Sequence, residues 1–177
     1  MVLINRVTAN AKEQTDMKEI LDKLTSYNLF NYLLPGVIFS ILITELTEYN
    51  FIQENIIIGA FLYYFIGMTI SRIGSLVVEP ILKEIGFLKF ADYKDFINAS
   101  KKDKKIEILS EANNTYRTFI SMFFNLILLK GYNLLEIKFS WLKDSQPIII
   151  SIILLIIFFL AYRKQTDYVT KRIKSNL

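Results

Sequence analysis

Long uncharged runs alternate with charged segments along this chain. Three of these runs, of 21, 17 and 18 residues, occupy residues 24–44, 55–71 and 145–162. A bilayer core about 30 Å thick is crossed by roughly 20 mostly apolar helical residues, so each run has the length of a transmembrane helix. A fourth segment, residues 118–135, has only 12 uncharged residues before Lys130. Because long basic side chains snorkel to the interface, we predict that this segment also crosses.

The pattern predicts an all-α, polytopic membrane protein rather than a soluble bundle with unusually long apolar helices. Four transmembrane helices are expected near residues 29–46, 56–79, 118–136 and 146–163. A short amphipathic helix is expected before them, because apolar residues recur at helical spacing at Met17, Ile20, Leu21 and Leu24.

The segments between the spans follow from this layout. Residues 81–117 are predicted to form a short cytoplasmic helical hairpin, with Asp92 capping its first helix. The second helix starts near Lys102 and can run unbroken into the third span. The chain then consists of an N-terminal segment (1–28), a first transmembrane hairpin (29–80) and a basic helical loop (81–117). A second transmembrane hairpin (118–163) and a basic tail (164–177) follow.

Two prolines bear on the ends of the predicted spans. Pro35 fits the first turn of a helix, where the missing N–H is not needed, so the first span either begins there or is one continuous helix kinked at Pro35. Pro80 lacks the N–H that a continuing helix requires. We therefore expect the second span to end at Pro80.

Basic residues are distributed unequally between the predicted loops. Seventeen of the 21 Lys and Arg residues lie in residues 1–28, 81–117 and 163–177, three lie in residues 130–146, and Arg72 lies within the second span. Lys and Arg collect on the cytoplasmic side, so both termini and the basic loop are predicted to be cytoplasmic. Arg72 is then close to the inner interface, where its side chain can snorkel.

Cysteine and histidine are both absent from the sequence. This composition excludes a disulfide framework, a thiol nucleophile and a Cys/His metal site, and it removes the commonest general base. No group of residues has the pattern of a catalytic constellation. We therefore expect neither an enzyme nor a protein with a metal or cofactor.

Polar residues recur at helical spacing in two of the predicted spans. In lipid, such side chains face other helices or water. One interpretation is a water-filled path lined by Ser40, Thr44, Ser121 and Asn125. In a symmetric assembly, Glu45 and Glu48 would then form an acidic outer mouth. The other interpretation, the commoner role of such residues, is that they form hydrogen bonds between packed helices.

Small residues form one face of the second span, at Gly67, Ser71, Gly74 and Ser75. Small side chains at this spacing allow two helix backbones to approach closely. The neighbouring helix belongs either to the same chain or to another subunit, and the sequence leaves this open. The fourth span has a single serine between residues 147 and 162 and is expected to face lipid.

A basic cluster lies between the second and third spans, at Lys101, Lys102, Lys104 and Lys105, and Arg72 adds a charge at the same interface. Such clusters are commonly solvated and orient the protein. Alternatively, they contact lipid headgroups or an acidic partner such as a nucleotide or nucleic acid. No aromatic residues are interleaved for base stacking, so the nucleic-acid signal is weak.

The four-span layout, the basic inner loop and the "NYLLPG" start of the first span resemble small multi-pass membrane subunits of bacterial antiphage defence systems. These include pore-forming effectors paired with nucleotide-synthesising enzymes, and the membrane subunit of Kiwa. The resemblance is one of size and layout. It implies a homo-oligomer that acts with a cytosolic partner protein.

Two hypotheses for function follow. The first is an oligomeric gated ion channel or membrane-disrupting effector in antiphage defence. A tetramer is favoured because the polar and small faces exceed what one four-helix bundle needs. The alternative is a membrane sensor or scaffold subunit that recruits and regulates a cytosolic partner protein.

Overall fold

The computed structural model describes residues 26–175, and every regular element among them is helical. A helical turn at Ser26–Asn28 leads directly into the first long helix. The five helices that follow are α1 (Leu29–Leu46), α2 (Ile56–Glu84), α3 (Tyr93–Lys102), α4 (Lys105–Lys138) and α5 (Ser140–Lys174). The predicted amphipathic helix at residues 17–24 lies outside the described residues.

Four of these helices, α1, α2, α4 and α5, are long and apolar enough to cross a membrane. This finding confirms the prediction of an all-helical protein with four candidate spans. The third span is much longer than its apolar run, because α4 continues unbroken for 34 residues. Arg117 and Lys130 therefore both lie inside this helix rather than at its ends.

Local hydrogen bonds set the ends of the first two spans. At the end of α1, the N–H of Thr47 donates to the carbonyl oxygen of Ile43 at 3.0 Å, and the backbone then becomes extended. At the start of α2, the side-chain oxygen of Asn55 accepts the N–H groups of Ile57 and Ile58, each at 3.0 Å. This cap satisfies donors that have no partner within the helix.

Both prolines lie inside helices, directly after a π-helical turn. The turn is Leu29–Leu33 in α1 and Gly74–Val78 in α2. In such a turn a backbone N–H bonds to the carbonyl oxygen five residues back rather than four. The first span is thus one continuous helix through Pro35, which was one of the two alternatives.

The expectation that the second span ends at Pro80 was wrong, because α2 continues to Glu84. Because of the π-helical turn before it, an N–H group at position 80 would bond to the carbonyl oxygen five residues back rather than four. Pro80 has no N–H to donate to the carbonyl oxygen of Ser75, five residues earlier, and that oxygen instead accepts the ammonium group of Lys164 at 2.6 Å. A side chain of α5 thus replaces the backbone donor.

Helices α1, α2 and α4 pack around a common apolar core, whose buried members are Phe39, Ile43, Ile70, Met122 and Leu126. Ile43 and Met122 are fully inaccessible to solvent, so the middle of the bundle is a filled apolar layer. In contrast, α5 has no buried residue. It packs at the margin, for example where the ring of Phe158 stacks on that of Phe65 with 5.9 Å between centroids.

Helices α1 and α2 approach each other closely at two glycines. A Cβ atom at Gly36 would lie 1.8 Å from the carbonyl oxygen of Tyr63, and one at Gly67 would lie 1.8 Å from the carbonyl oxygen of Tyr32. Backbone atoms cannot swing aside as a flexible side chain can, so only glycine fits at either position. This crossing lies within one chain.

The bundle has two chemically different ends. The turn end carries the short connections at residues 47–55 and Phe139, and the basic end carries the start of α1 and the end of α2. At 1.5 Å per residue, the 34 residues of α4 and the 35 of α5 span about 51–53 Å, compared with roughly 30 Å for a bilayer core. Charged residues are frequent in 105–117 and 163–174, so the excess length projects at the basic end.

The short helix α3 packs against α4 at the basic end. Its Ile97 is only 1% exposed, and the ring of Tyr93 lies 6.3 Å from that of Tyr168 on α5. Together, α3, residues 105–117 of α4 and residues 163–174 of α5 are named the basic-end platform. Its cytoplasmic location stays a prediction from the charge distribution.

Labelling of introduced cysteines tests that orientation, since the native chain contains no cysteine. Asn50 lies at the turn end and Lys102 on the platform, and both are exposed. In intact cells we expect a membrane-impermeant maleimide to modify Asn50→Cys, and to modify Lys102→Cys only after permeabilisation. Equal labelling of the two variants, or the reverse pattern, would contradict the predicted topology.

Candidate functional site

Three polar side chains from three different helices meet inside the bundle and are named the polar layer: Asn31, Ser71 and Thr118. All three are at most 3% exposed. The Thr118 hydroxyl lies 2.9 Å from Asn31 Oδ1 and 3.1 Å from the Ser71 hydroxyl, and the Asn31 amide donates to Ser71 at 3.4 Å. Such contacts contribute about 0.6 kcal/mol each in membrane proteins, so the layer aligns α1, α2 and α4 more than it stabilises them.

A tyrosine extends the polar layer toward the basic end. The hydroxyl of Tyr27 accepts the side-chain amides of Asn31 and Asn114, both at 3.3 Å. Asn31 itself lies on the π-helical turn of α1, a feature that is frequent at functional sites. The layer thus connects the interior of the bundle with its basic end.

The four residues predicted to line a path form hydrogen bonds with backbone carbonyls of the same chain. Ser40 donates to Gly36, Thr44 to Ser40 and Ser121 to Ile70, at 2.8–2.9 Å, and Asn125 donates to Ser121 at 2.7 Å. Ser40 and Ser121 are fully buried. In a single chain these two hydroxyls therefore face helix contacts, and the pore-lining role stays a prediction.

A carboxylate with three basic partners lies between the polar layer and the platform. This group, named the Glu79 cluster, consists of Glu79, Lys83, Arg117 and Lys164. Glu79 is 7% exposed, and its oxygens lie 2.6 Å from Arg117 Nη1, 2.9 Å from Lys83 Nζ and 3.9 Å from Lys164 Nζ. The Arg117 pair joins α2 to α4, and the Lys164 contact joins α2 to α5.

The Glu79 cluster is expected to hold α5 onto the bundle. Lys164 Nζ also donates to the hydroxyl of Ser75 at 2.7 Å, besides the Ser75 carbonyl bond described above. Ionisable groups near the hydrocarbon region are costly unless they are paired, and they commonly mark functional sites in membrane proteins.

The four small residues predicted on one face of α2 all face neighbours of the same chain. Gly67 meets α1, Ser71 is in the polar layer and Ser75 bonds Lys164. A Cβ atom at Gly74 would lie 3.1 Å from the Ser121 Cβ and 3.2 Å from the carbonyl oxygen of Arg117, both on α4. Within the chain this face therefore packs against α1, α4 and α5, and its contact with another subunit stays a prediction.

The turn end contains a second buried carboxylate. Glu136 is 8% exposed and accepts a short hydrogen bond from the hydroxyl of Tyr49, while its Oε1 atom has no partner among the described residues. Burial and the Glu136 carboxylate raise the pKa of Tyr49 above its usual range, so this hydroxyl stays a donor. Both residues line a cleft of about 300 Å³ together with Glu48 and Asn133.

The remaining predicted site residues are exposed. Glu45 and Glu48 lie at the turn end, and Glu48 is 3.9 Å from Lys143 in an exposed pair that contributes little to stability. The four lysines at 101, 102, 104 and 105 surround the connection from α3 to α4, also in solvent. Arg72 differs from them because it is half-buried within α2 and lines a cleft with Lys164.

Sequence reasoning missed Glu79, Arg117 and Lys164 as one cluster. The available signal was positional: Glu79 lies one heptad after Arg72, while Arg117 and Lys164 flank the basic ends of the third and fourth apolar runs. Charges at the same predicted depth on antiparallel helices are natural partners. Their pairing nevertheless depends on which helices are neighbours, which the sequence does not specify.

No protein-family model, curated protein or solved structure matches this chain. Among residues 26–175, no group of three or more acidic, histidine or cysteine side chains is arranged to hold a metal ion. Fold and contacts describe an all-helical chain with four helices long and apolar enough to cross a membrane, a buried polar layer and a charged cluster at one end.

Proposed function

We propose that the protein is a bacterial inner-membrane sensor or scaffold subunit that recruits and regulates a cytosolic partner protein. The observation that carries this proposal is the basic-end platform, which is continuous with two spans. A helix that runs unbroken through the interface couples the position of its projecting part to packing within the membrane. The partner would bind outside the membrane, on a surface whose arrangement depends on the bundle.

The interior of the bundle supports this choice over conduction. The side chains of the polar layer bond to one another, and Ser40, Thr44, Ser121 and Asn125 bond to backbone carbonyls. The apolar core at Phe39, Ile43 and Met122 fills the space beside them. A filled apolar layer is a barrier to ions. A single chain in this conformation therefore offers polar contacts between helices rather than a path.

The platform also exposes apolar side chains beyond the apolar runs. Ile108 and Leu109 on α4 are 65% and 64% exposed, and Val169 and Ile173 on α5 are 50% and 56% exposed. Val169 and Ile173 are four residues apart, so they lie on the same face of α5. Apolar groups exposed to water on a folded surface are typical of protein interaction sites.

Affinity purification of the full chain from the organism that encodes it, after mild cross-linking, tests this proposal. We expect one cytosolic protein in near-stoichiometric yield, and we expect Val169→Ser with Ile173→Ser to reduce that yield at least about tenfold, since each lost apolar contact weakens binding by roughly 1.5 kcal/mol. Lys171→Gln with Lys174→Gln is the control on the same helix. Absence of a stoichiometric partner, or equal capture by both variants, would contradict the proposal.

A second candidate is the tetrameric gated channel or membrane-disrupting effector. The cleft at the turn end favours it, because a buried carboxylate oxygen of Glu136 without a partner lies beside exposed Glu48, and acidic groups at a mouth concentrate cations. Conduction then requires either a path between chains or an opening of the apolar core. The setting in antiphage defence, and a nucleotide as activating ligand, rest on the resemblance in layout.

Planar-bilayer recordings with unequal salt on the two sides test the channel. If the assembly conducts, Glu45→Gln with Glu48→Gln should shift the reversal potential toward weaker cation preference, because two carboxylates are removed from the mouth without a change of shape. Glu84→Gln, at the opposite end of α2, is the control. Mass measurement in nanodiscs that finds only monomers, together with no current from the wild type, would remove this candidate.

A further inference from the structure

We propose that the cleft between α2 and α5 at the basic end binds a phosphate group, in the first place the headgroup of an anionic phospholipid. The cleft is lined by Arg72, Ser75, Lys164, Gln165 and Tyr168, with Leu76 and Ala161 as its apolar walls. The proposal depends on the four spans lying in a membrane and is independent of the scaffold function.

The charges around this cleft do not balance. Lys164 lies within electrostatic range of three further cations, Arg72, Lys83 and Arg117, and of the Glu79 carboxylate. Four cations with one anion leave three net positive charges in a half-buried position. Because cations near the low-dielectric membrane interior are unfavourable without a counter-ion, an anion bound here is stabilised.

Arg72 has hydrogen-bond donors that remain uncommitted. Within residues 26–175, the one hydrogen bond of its guanidinium group goes to the hydroxyl of Tyr32 at 3.5 Å, the long limit for such a bond. A guanidinium carries five N–H donors in a planar fork that matches two oxygens of a phosphate. Arg72 lines the same cleft as Lys164.

Lys164 is held in position before any ligand binds. Its ammonium group bonds the carbonyl oxygen and the hydroxyl of Ser75 at 2.6 and 2.7 Å. The carbonyl belongs to the π-helical turn before Pro80, so the backbone geometry of α2 fixes the position of this charge. A site whose groups are already ordered loses less entropy on binding.

The walls of the cleft favour a lipid over a soluble phosphate. Leu76 and Ala161 continue into the apolar surfaces of α2 and α5, and α5 has no buried residue, so the cleft opens toward the acyl chains. Basic pockets between spans at headgroup depth are typical sites for anionic lipids. A headgroup here has its phosphate beside Arg72 and Lys164 and its acyl chains along the α2–α5 groove.

Lipid binding to the full chain is measured by native mass spectrometry after delipidation in detergent. Phosphatidylglycerol and cardiolipin are titrated against phosphatidylcholine, and we expect the wild type to retain the two anionic lipids at least about tenfold more tightly. This comparison needs no variant, so it stands even if a substitution in the cleft prevents folding. Equal binding of phosphatidylcholine overturns the proposal.

Variants then locate the site. We expect Arg72→Gln to weaken phosphatidylglycerol binding about tenfold, because a charged bidentate donor is lost, and Arg72→Lys to retain part of the affinity. Arg163→Gln removes the same charge from an exposed position next to Lys164 and is the control. If Arg163→Gln weakens binding as much as Arg72→Gln does, the binding is diffuse surface attraction and the proposal fails.

The source of the phosphate is distinguished by competition. Inorganic phosphate and ATP at millimolar concentration are added to the protein loaded with phosphatidylglycerol. Retention of the lipid supports a lipid site, and displacement that depends on Arg72 supports a soluble phosphate ligand at the same residues. Displacement that is equal in wild type and Arg72→Gln overturns both, because it reflects ionic strength alone.

Discussion

Replacement of Gly67 by leucine is expected to prevent α1 and α2 from packing. The Cβ atom alone would lie 1.8 Å from the carbonyl oxygen of Tyr32, so the two backbones must separate by more than an ångström before any side chain fits. Separation also removes contacts in the adjacent polar layer at Asn31 and Ser71. We expect a loss of about 3 kcal/mol or more, seen as an absence of monodisperse protein after extraction from membranes.

A glycine on another helix provides the matched control. Among the described residues, a Cβ atom at Gly131, seven residues before the end of α4, meets nothing within 4 Å. Gly131→Leu therefore adds the same apolar volume without a clash, and the exchange favours helix formation by up to about 1 kcal/mol. Thermal unfolding in detergent compares the two variants. A Gly67→Leu protein as stable as Gly131→Leu would show that α1 and α2 do not cross at this position.

Loss of the carboxylate at Glu79 is expected to release α5 from the bundle. Glu79→Gln keeps the shape but leaves Arg117 and Lys164 near the hydrocarbon region without a counter-charge. Breaking one partner of a buried ion pair costs about 3 kcal/mol, because the other charge stays buried and unpaired. Limited proteolysis within residues 163–174 and thermal unfolding should both report the change.

Glu84→Gln serves as control, since Glu84 is exposed on the same helix and five residues further on. We expect it to change stability by less than about 0.5 kcal/mol. A second test combines Glu79→Gln with Arg117→Gln. If the pair is formed, the double variant should be more stable than the sum of the single losses indicates. Additive losses would mean that Glu79 and Arg117 act independently.

The four candidate spans were predictable because each depends on a single apolar segment of bilayer length, which is visible in the sequence. The three uncharged runs have the length of a bilayer crossing, and their described parts, residues 26–44, 55–71 and 145–162, each correspond to a helix. The third span was also predicted, from snorkelling at Arg117 and Lys130. The sequence also allowed the second helix of the basic loop to run unbroken into the third span, and α4 does so over its 34 residues.

The prediction at Pro80 failed for a physical reason that sequence patterns do not contain. Proline removes one backbone N–H donor. Whether the helix then ends depends on whether another donor reaches the carbonyl oxygen that has lost its backbone partner. Here the Lys164 ammonium group bonds the Ser75 carbonyl oxygen from a helix almost 90 residues later, at 2.6 Å. Contacts of that kind arise only when the order and depth of the helices are known.

Thr118 and Ser121 lie on one face of α4, but the sequence did not indicate what that face contacts. Spacing places Thr118 and Ser121 on one side of a helix whether the neighbour is water, another subunit or the same chain. Which of these three neighbours the face contacts depends on the relative depth at which α1, α2 and α4 align. That alignment follows from the crossing at Gly36 and Gly67, which is a property of two helices together.

The central claim is that the polar layer joins three helices of one chain. Ser71→Cys with Thr118→Cys tests it, because their hydroxyl oxygens lie 3.1 Å apart and a disulfide requires close Cβ atoms. Copper phenanthroline is added to membranes that contain either the double variant or the two single variants expressed together. Ser71→Cys with Ile127→Cys, whose second position is 73% exposed, is the control pair. We expect an efficient disulfide within monomers of the double variant and none between the co-expressed single variants. A disulfide that forms only between chains would contradict it.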